Sequence, residues 1–217
     1  MENLKKIWRY YSIEKYRYFK KFIRTNIRIL DIGCGNRSPS LTKELFPFCE
    51  YHGVDREFYN LTDEDIKIMD KFFKKDLDKD RLDDIPNDYY DIVIMSHILE
   101  HLNNGLEVLD KASKKVKKGG YIYIEFPDIK SFNLPSMKGT LHFCDDETHV
   151  RCYIPQEIIN ILLDNDFKII FSRTRRNKYK ILLMPFLIIY HYIKGKGVGS
   201  DFWDITGFAY QILAQKR

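Results

Sequence analysis

The chain has 217 residues, of which 44% are hydrophobic and 31% charged; this suits one folded domain and excludes the low-hydrophobicity signature of disorder. The formal net charge is +5, with Lys and Arg interleaved with Asp and Glu along most of the sequence, so nucleic-acid binding is permitted but not indicated. Cys34, Cys49, Cys144 and Cys152 form no CxxC pair and no signal-peptide pattern opens the sequence, which points to a reducing, cytoplasmic setting.

Leu4 to Ile23 mixes aromatics with cations and reads as an irregular amphipathic helix, with Ile7, Tyr11, Tyr18 and Phe22 facing inward. After this cover (residues 1–26), β-rich runs alternate with helical stretches. Ile27 to Ile32, Tyr51 to Asp55, Lys71 to Asp76, Asp91 to Met95 and Tyr121 to Phe126 are predicted strands. Leu41 to Phe46, a segment near Asp63 to Met69, and Gly105 to Val116 are predicted helices, the last stopped by Lys117-Lys118-Gly119-Gly120. This alternation implies right-handed crossovers and a parallel sheet. Pro155 opens a further helix to about Leu163, followed by strands at Phe167 to Ser172 and Gly207 to Ala214.

Residues 127–154 and 173–206 fit no crossover and read as insertions on the substrate side of a single domain spanning 1–217, with residues 27–126 as its binding core. Ile181 to Tyr190 is nearly all apolar, flanked by Arg173, Arg175, Arg176, Lys178, Lys180, Lys194 and Lys196. It is too short to cross a bilayer, which needs about 20 apolar residues.

Ile29 to Asn36 is an apolar strand that ends in Asp31 and turns through Gly33 and Gly35 toward a helix. Glycine lets a ligand approach the backbone, and the helix N-terminus offers free N–H groups. A dinucleotide fingerprint would need a third glycine where Ser38 stands, so no phosphate cradle is completed. Asp31 would repel a pyrophosphate and suits a ligand carrying an amino group. Asp55 ends the next strand about 20 residues on, where a carboxylate accepts ribose hydroxyls, with Arg56 placed to cover a base. Asp76, followed by Leu77, is placed to accept from an adenine amino group, and Ser96 and His97 end the fourth strand.

The ordered set DIGCG, HGVDRE, KKDLD, YYDIVIMSHILEHL and KKGGYIYIEFPD, covering Leu30 to Asp128, resembles the successive motifs of class I S-adenosylmethionine-dependent methyltransferases. The resemblance implies a three-layer α/β Rossmann-like sandwich with a mainly parallel seven-stranded sheet whose last strand is antiparallel. It implies that Gly207 to Ala214 inserts beside Phe167 to Ser172. It implies S-adenosylmethionine as cofactor, held by Asp31, Gly33, Cys34, Gly35, Asn36, Asp55, Arg56, Asp76, Leu77, Ser96 and His97.

Methyl transfer needs in-line approach and exclusion of water, often with a base that takes a proton from the acceptor. Candidates for that chemistry cluster in His142 to Arg151. His149 is the predicted base and Asp146 or Asp145 its orienting partner, with His142 completing the candidate set. The same residues can instead pin the loop through buried hydrogen bonds. His97, Glu100 and His101 fall at i, i+3 and i+4 and, with His149, form an alternative cation-binding set; whether a metal binds stays open.

The expected activity is O-methylation of a small or lipid-linked acceptor, such as a saccharide or quinone-like intermediate. Residues 178–196 are a candidate peripheral membrane contact in which Leu182, Phe186, Ile189 and Tyr192 enter the interface, or a lid packed on protein. The rivals are an RNA methyltransferase, which predicts a continuous basic face, and a cofactor-binding protein without catalysis that acts as a docking partner.

Overall fold

The computed structural model describes residues 13–23 and 25–217. Seven strands, β1 (Arg28–Ile32), β2 (Glu50–Asp55), β3 (Lys71–Lys74), β4 (Tyr90–Ser96), β5 (Val116–Pro127), β6 (Phe167–Thr174) and β7 (Ala209–Lys216), form one sheet in the order β3-β2-β1-β4-β5-β7-β6. Every pairing among β1 to β5 is parallel, whereas β7 runs antiparallel to both its neighbours, β5 and β6. This is the expected Rossmann-like sandwich, with the last strand slotted beside Phe167–Thr174.

Strand alternation divides the core into two layers. Leu30, Ile32, Val93 and Ile122 face helices α4 (Gly105–Ser113) and α5 (Pro155–Asp164), packing with Val108, Leu109, Ile158 and Leu162. Ile29, Tyr51, Ile92 and Tyr123 face the other way, against Tyr16 and Phe19 of the N-terminal cover and Leu45 of α2 (Ser38–Leu45). Burying each such side chain contributes about 1.5–3 kcal/mol. A central parallel sheet hidden on both faces explains why its strands read as unbroken apolar runs.

Local chemistry sets most boundaries. Pro39 stands in the first turn of α2, which therefore begins three residues before the expected Leu41. Thr62 and Asp65 form a reciprocal capping box at α3 (Asp63–Ile68). α4 ends at Ser113, and the Gly119-Gly120 pair expected to stop it lies inside β5, with Gly119 at φ 77°. The predicted N-terminal helix is described only from Ile13; there it comprises α1 (Glu14–Arg17) and a 3-10 turn, Lys20–Phe22. Tyr18 and Phe22 are partly buried, Tyr18 with its ring 4.6 Å from that of Phe171, whereas Ile7 and Tyr11 lie outside the described residues.

Both insertions have structure of their own. Residues 127–154 contain 3-10 turns at Ile129–Asn133 and Phe143–Asp145. Residues 173–206 contain α6 (Lys178–Ile193), a 3-10 turn (Gly199–Phe202) and α7 (Trp203–Thr206), and Pro185 does not break α6. Among the described residues no helix is long and apolar enough to cross a membrane.

Candidate functional site

The C-terminal ends of β1 to β4 and the two insertions enclose a cavity of about 560 Å³, large enough for a drug-sized ligand. Its first wall starts at the turn after β1. Gly33 takes φ 81° and its N–H donates to the Val54 carbonyl at 2.8 Å, clamping the turn onto β2. A Cβ on Gly35 would lie 2.9 Å from the Tyr59 carbonyl oxygen, so no larger residue fits. Asn36 and Arg37 continue at φ 55° and 61°, bringing the chain to the start of α2.

Of the residues expected to hold the cofactor, Gly33, Gly35, Asn36, Asp55, Arg56, Asp76, Leu77, Ser96 and His97 line the cavity. Burial pushes the Asp55 carboxyl above its ordinary range, although the backbone N–H groups of Arg56, Glu57 and Gly35 oppose the shift. The hydrogen bond from Lys79 holds the Asp76 carboxyl below its usual range.

Two residues expected in this wall are elsewhere. Asp31 is fully buried in β1 and absent from the lining; one of its oxygens accepts from Tyr51 Oη at 2.8 Å, Lys15 Nζ at 3.3 Å and Ser38 Oγ. Its other oxygen, Oδ1, is buried without a hydrogen-bond partner among the described residues. Ser38, the position of the missing third glycine, thus supplies a hydroxyl to the strand-end acid. Cys34 is also buried away from the cavity, its Sγ against Gly53, where a Cβ would come within 2.6 Å; desolvation pushes its thiol up.

At the cavity floor, His97 leaves β4 with φ 54° and presents each ring nitrogen to a carboxylate: Nδ1 to Glu100 at 2.9 Å and Nε2 to Glu125 at 3.0 Å. Burial alone would lower the His97 pKa, but these two bonds outweigh it and raise it to about 9. Glu125 in turn accepts from Arg175 Nη1 at 2.7 Å, and Arg175 makes a two-pronged pair with Asp204 at 3.0 and 2.8 Å. Arg175 is therefore buried, not part of the expected cationic flank of α6. Trp203, beside Asp204, places its ring 4.9 Å from that of His97.

The second wall comes from the first insertion. His149, Thr148 and Asp146 line it with Glu100 and His101. His149 Nδ1 donates to the Phe143 carbonyl at 2.7 Å, which leaves the lone pair on Nε2. The expected orienting role of Asp146 goes to that carbonyl: Asp146 stands 3.8 Å from His149 Nε2 and instead accepts from Thr148 N at 2.9 Å and Thr148 Oγ1 at 2.5 Å. Asp145 braces the loop, accepting from the backbone N–H groups of Met137, Leu141 and His142 and from Ser136 Oγ. His142 does not reach the cavity; Nδ1 accepts from Cys144 N at 3.0 Å and Nε2 donates to the Phe132 carbonyl at 3.1 Å.

Sequence reasoning missed Glu125, Thr140, Trp203 and Phe208. The aromatic pair stacks with centroids 4.6 Å apart, and both rings line the cavity beside His97. Their only signal is a Trp and a Phe bordering the last strand; the distance along the chain conceals the rest.

Residues 5–171 match a family described as a methyltransferase domain. An uncharacterised protein of Methanocaldococcus jannaschii is 30% identical over 150 residues, a stretch that takes in 65% of this chain and 40% of that protein's length. The chain thus spans less than half of that relative. The structure resembles a crystal structure of an S-adenosylmethionine-dependent methyltransferase from Archaeoglobus fulgidus, with a TM-score of 0.60 and 24% identity over 100% of this chain and 95% of that one. It also resembles phosphoethanolamine N-methyltransferase 2 of Haemonchus contortus, solved with S-adenosyl-L-methionine, with a TM-score of 0.62 and 17% identity over 94% of this chain and 52% of that one.

Proposed function

Because the chain belongs to the methyltransferase family and has the fold of class I S-adenosylmethionine-dependent methyltransferases, we propose that it methylates an oxygen of a small or lipid-linked acceptor, such as a saccharide. One observation carries this reading: the Gly33–Asn36 turn and Asp55 open on the same cavity as the lone pair of His149. S-adenosylmethionine, when bound, supplies a methyl group on a sulfonium, an electrophile that an attacking oxygen displaces from sulfur as a carbon–oxygen bond forms.

The residues present fit that cofactor. The bare backbone of Gly33 and Gly35 admits close approach, the Asp55 carboxylate suits two ribose hydroxyls, and Asp76 suits an adenine amino group. An acceptor bound beside His97 and Trp203 would be shielded from water by the two insertions. A hydroxyl must lose its proton during transfer, and the His149 Nε2 lone pair is the base on this wall.

A lipid-linked acceptor is favoured by α6, which exposes Leu182, Phe186, Ile189 and Tyr192, while no Asp or Glu occurs between Asp166 and Asp201. Apolar side chains bordered by Lys178, Lys194 and Lys196 suit an anionic membrane surface.

Calorimetry with S-adenosylmethionine and its demethylated product should give heat, and isotopic methyl should pass into a lipid or saccharide extract. Label entering RNA instead, with affinity falling steeply with salt, would favour the RNA reading. Cofactor binding without label in any fraction would favour a non-catalytic partner.

A further inference from the structure

We propose that Glu100, His101 and His149 bind one divalent cation of the zinc class at the acceptor end of the cavity. Each of the three offers a ligand atom within 4.8 Å of the others, and all three line the cavity. Bonds of about 2.0–2.2 Å to such an ion would draw them closer.

Both histidines are held in one tautomer. His149 Nδ1 donates to the Phe143 carbonyl at 2.7 Å. The Thr148 hydroxyl gives its proton to Asp146, and His101 Nδ1 lies 2.9 Å from that oxygen and 3.2 Å from the Thr148 carbonyl. Carbonyls accept only, so His101 also carries its proton on Nδ1 and keeps a lone pair on Nε2. Giving the outer ring N–H to a carbonyl is how metal-binding histidines are oriented.

The carboxylate points the same way. Glu100 is 1% exposed, its Oε1 bonds His97 at 2.9 Å, and its Oε2 is buried with no hydrogen-bond partner among the described residues. A buried carboxylate oxygen without a donor is costly, and a cation beside two imidazole lone pairs would satisfy it. His97, expected in the same set with Glu100, His101 and His149, has both nitrogens engaged by carboxylates, which leaves three ligands. Two imidazoles and one carboxylate suit zinc and its neighbours better than magnesium or calcium, and three protein ligands leave a position open to the cavity.

This site deepens the reading above by changing the part His149 plays. An acceptor hydroxyl taking the open position would give up its proton to solvent as it binds, because coordination acidifies it; its oxygen would then form the bond to the methyl carbon as the carbon–sulfur bond breaks, the electron pair staying on the sulfur of the demethylated cofactor. His149 is then a ligand rather than the proton acceptor.

The test is equilibrium dialysis and calorimetry with zinc chloride on chelator-stripped protein, followed by cobalt(II) substitution and visible spectroscopy. One ion per chain is expected, with a cobalt spectrum lost and affinity lowered more than about 100-fold in both His101→Gln and His149→Gln. Circular dichroism and thermal melting show whether the two histidine variants leave the fold intact where the buried Glu100→Gln does not. Absence of stoichiometric zinc, or binding indifferent to both histidine variants, overturns the site. Zinc binding without heat from S-adenosylmethionine overturns the methyltransferase reading and keeps the site, and the reverse result does the opposite.

Discussion

Asp55 ends β2 and Asp31 stands one residue before the end of the neighbouring parallel strand β1, yet their surroundings give them different work. Asp55 faces the cavity, half-buried, with its nearest donor, Arg56 N, at 2.8 Å. Asp31 is saturated on one oxygen by Ser38, Tyr51 and Lys15 and lies under the turn. Asp55→Ala should therefore weaken S-adenosylmethionine binding by about 10- to 100-fold, the worth of a charge-assisted hydrogen bond, with the melting temperature nearly unchanged; calorimetry and a thermal scan check both halves. Asp31→Ala should do the converse, lowering the melting temperature because three donors lose their acceptor. The Asp55 placement was legible because a strand end and a turn are local features. That of Asp31 was not, since its partners come from α1, α2 and β2. His149 and His142 repeat the contrast: two histidines in one loop look alike in sequence, and only the folded loop shows which one faces the cavity.

In the loop of residues 127–154, Asp145 gathers one side-chain and three backbone donors onto a single carboxylate. Its hydrogen bonds from Ser136 and three backbone N–H groups outweigh desolvation and hold the carboxyl well below its ordinary range. A carboxyl whose folded pKa is depressed stabilises above its unfolded value, near 4, and loses that contribution as the pH falls further. Wild-type protein should accordingly become sensitive to proteolysis near His142 below about pH 4, whereas Asp145→Asn should show that sensitivity at neutral pH with a cost of about 2 kcal/mol; limited proteolysis across a pH series reads both.

The segment between β6 and β7 is fastened by Arg175, whose guanidinium bridges Glu125 and Asp204. Arg175→Leu would leave the buried Asp204 without its cation and Glu125 with His97 as its remaining charged partner, and should cost about 3–5 kcal/mol, measurable by denaturant unfolding. An Arg among other cations before an apolar run gives no sign in sequence that it turns inward. The helices and strands were easier to place because periodicity and caps are local; one error fell where Pro39 starts α2 early, another where a glycine pair had two uses, since Gly119-Gly120 marks an irregular stretch of β5, not the end of α4.

Across the whole molecule, the parallel part of the sheet follows from the alternation of apolar runs and helices and the place of the last strand from the family resemblance, but the outer face of α6 depends on what meets it. If it meets a membrane, the protein should sediment with vesicles rich in phosphatidylserine and remain free of neutral ones, and a Leu182→Ser/Phe186→Ser variant should lose most of that retention. Retention unaltered by both serines would dismiss the idea. Salt should weaken the association, because lysines separated from headgroups by water are screened within about 8–10 Å.

The position of β7 between β5 and β6 also has a bearing on biosynthesis. As the polypeptide leaves the ribosome, β5 emerges with an unpaired flank and β6 emerges with no neighbour at all, since the strand that joins them is translated after both. During that interval the nascent domain carries two open β-edges, the kind of surface on which chains stick to one another. Translation of Ala209 to Lys216 covers the free flank of β5 and gives β6 its neighbour in one step, so a premature stop before Ala209 would yield a product prone to aggregate rather than a slightly shortened domain.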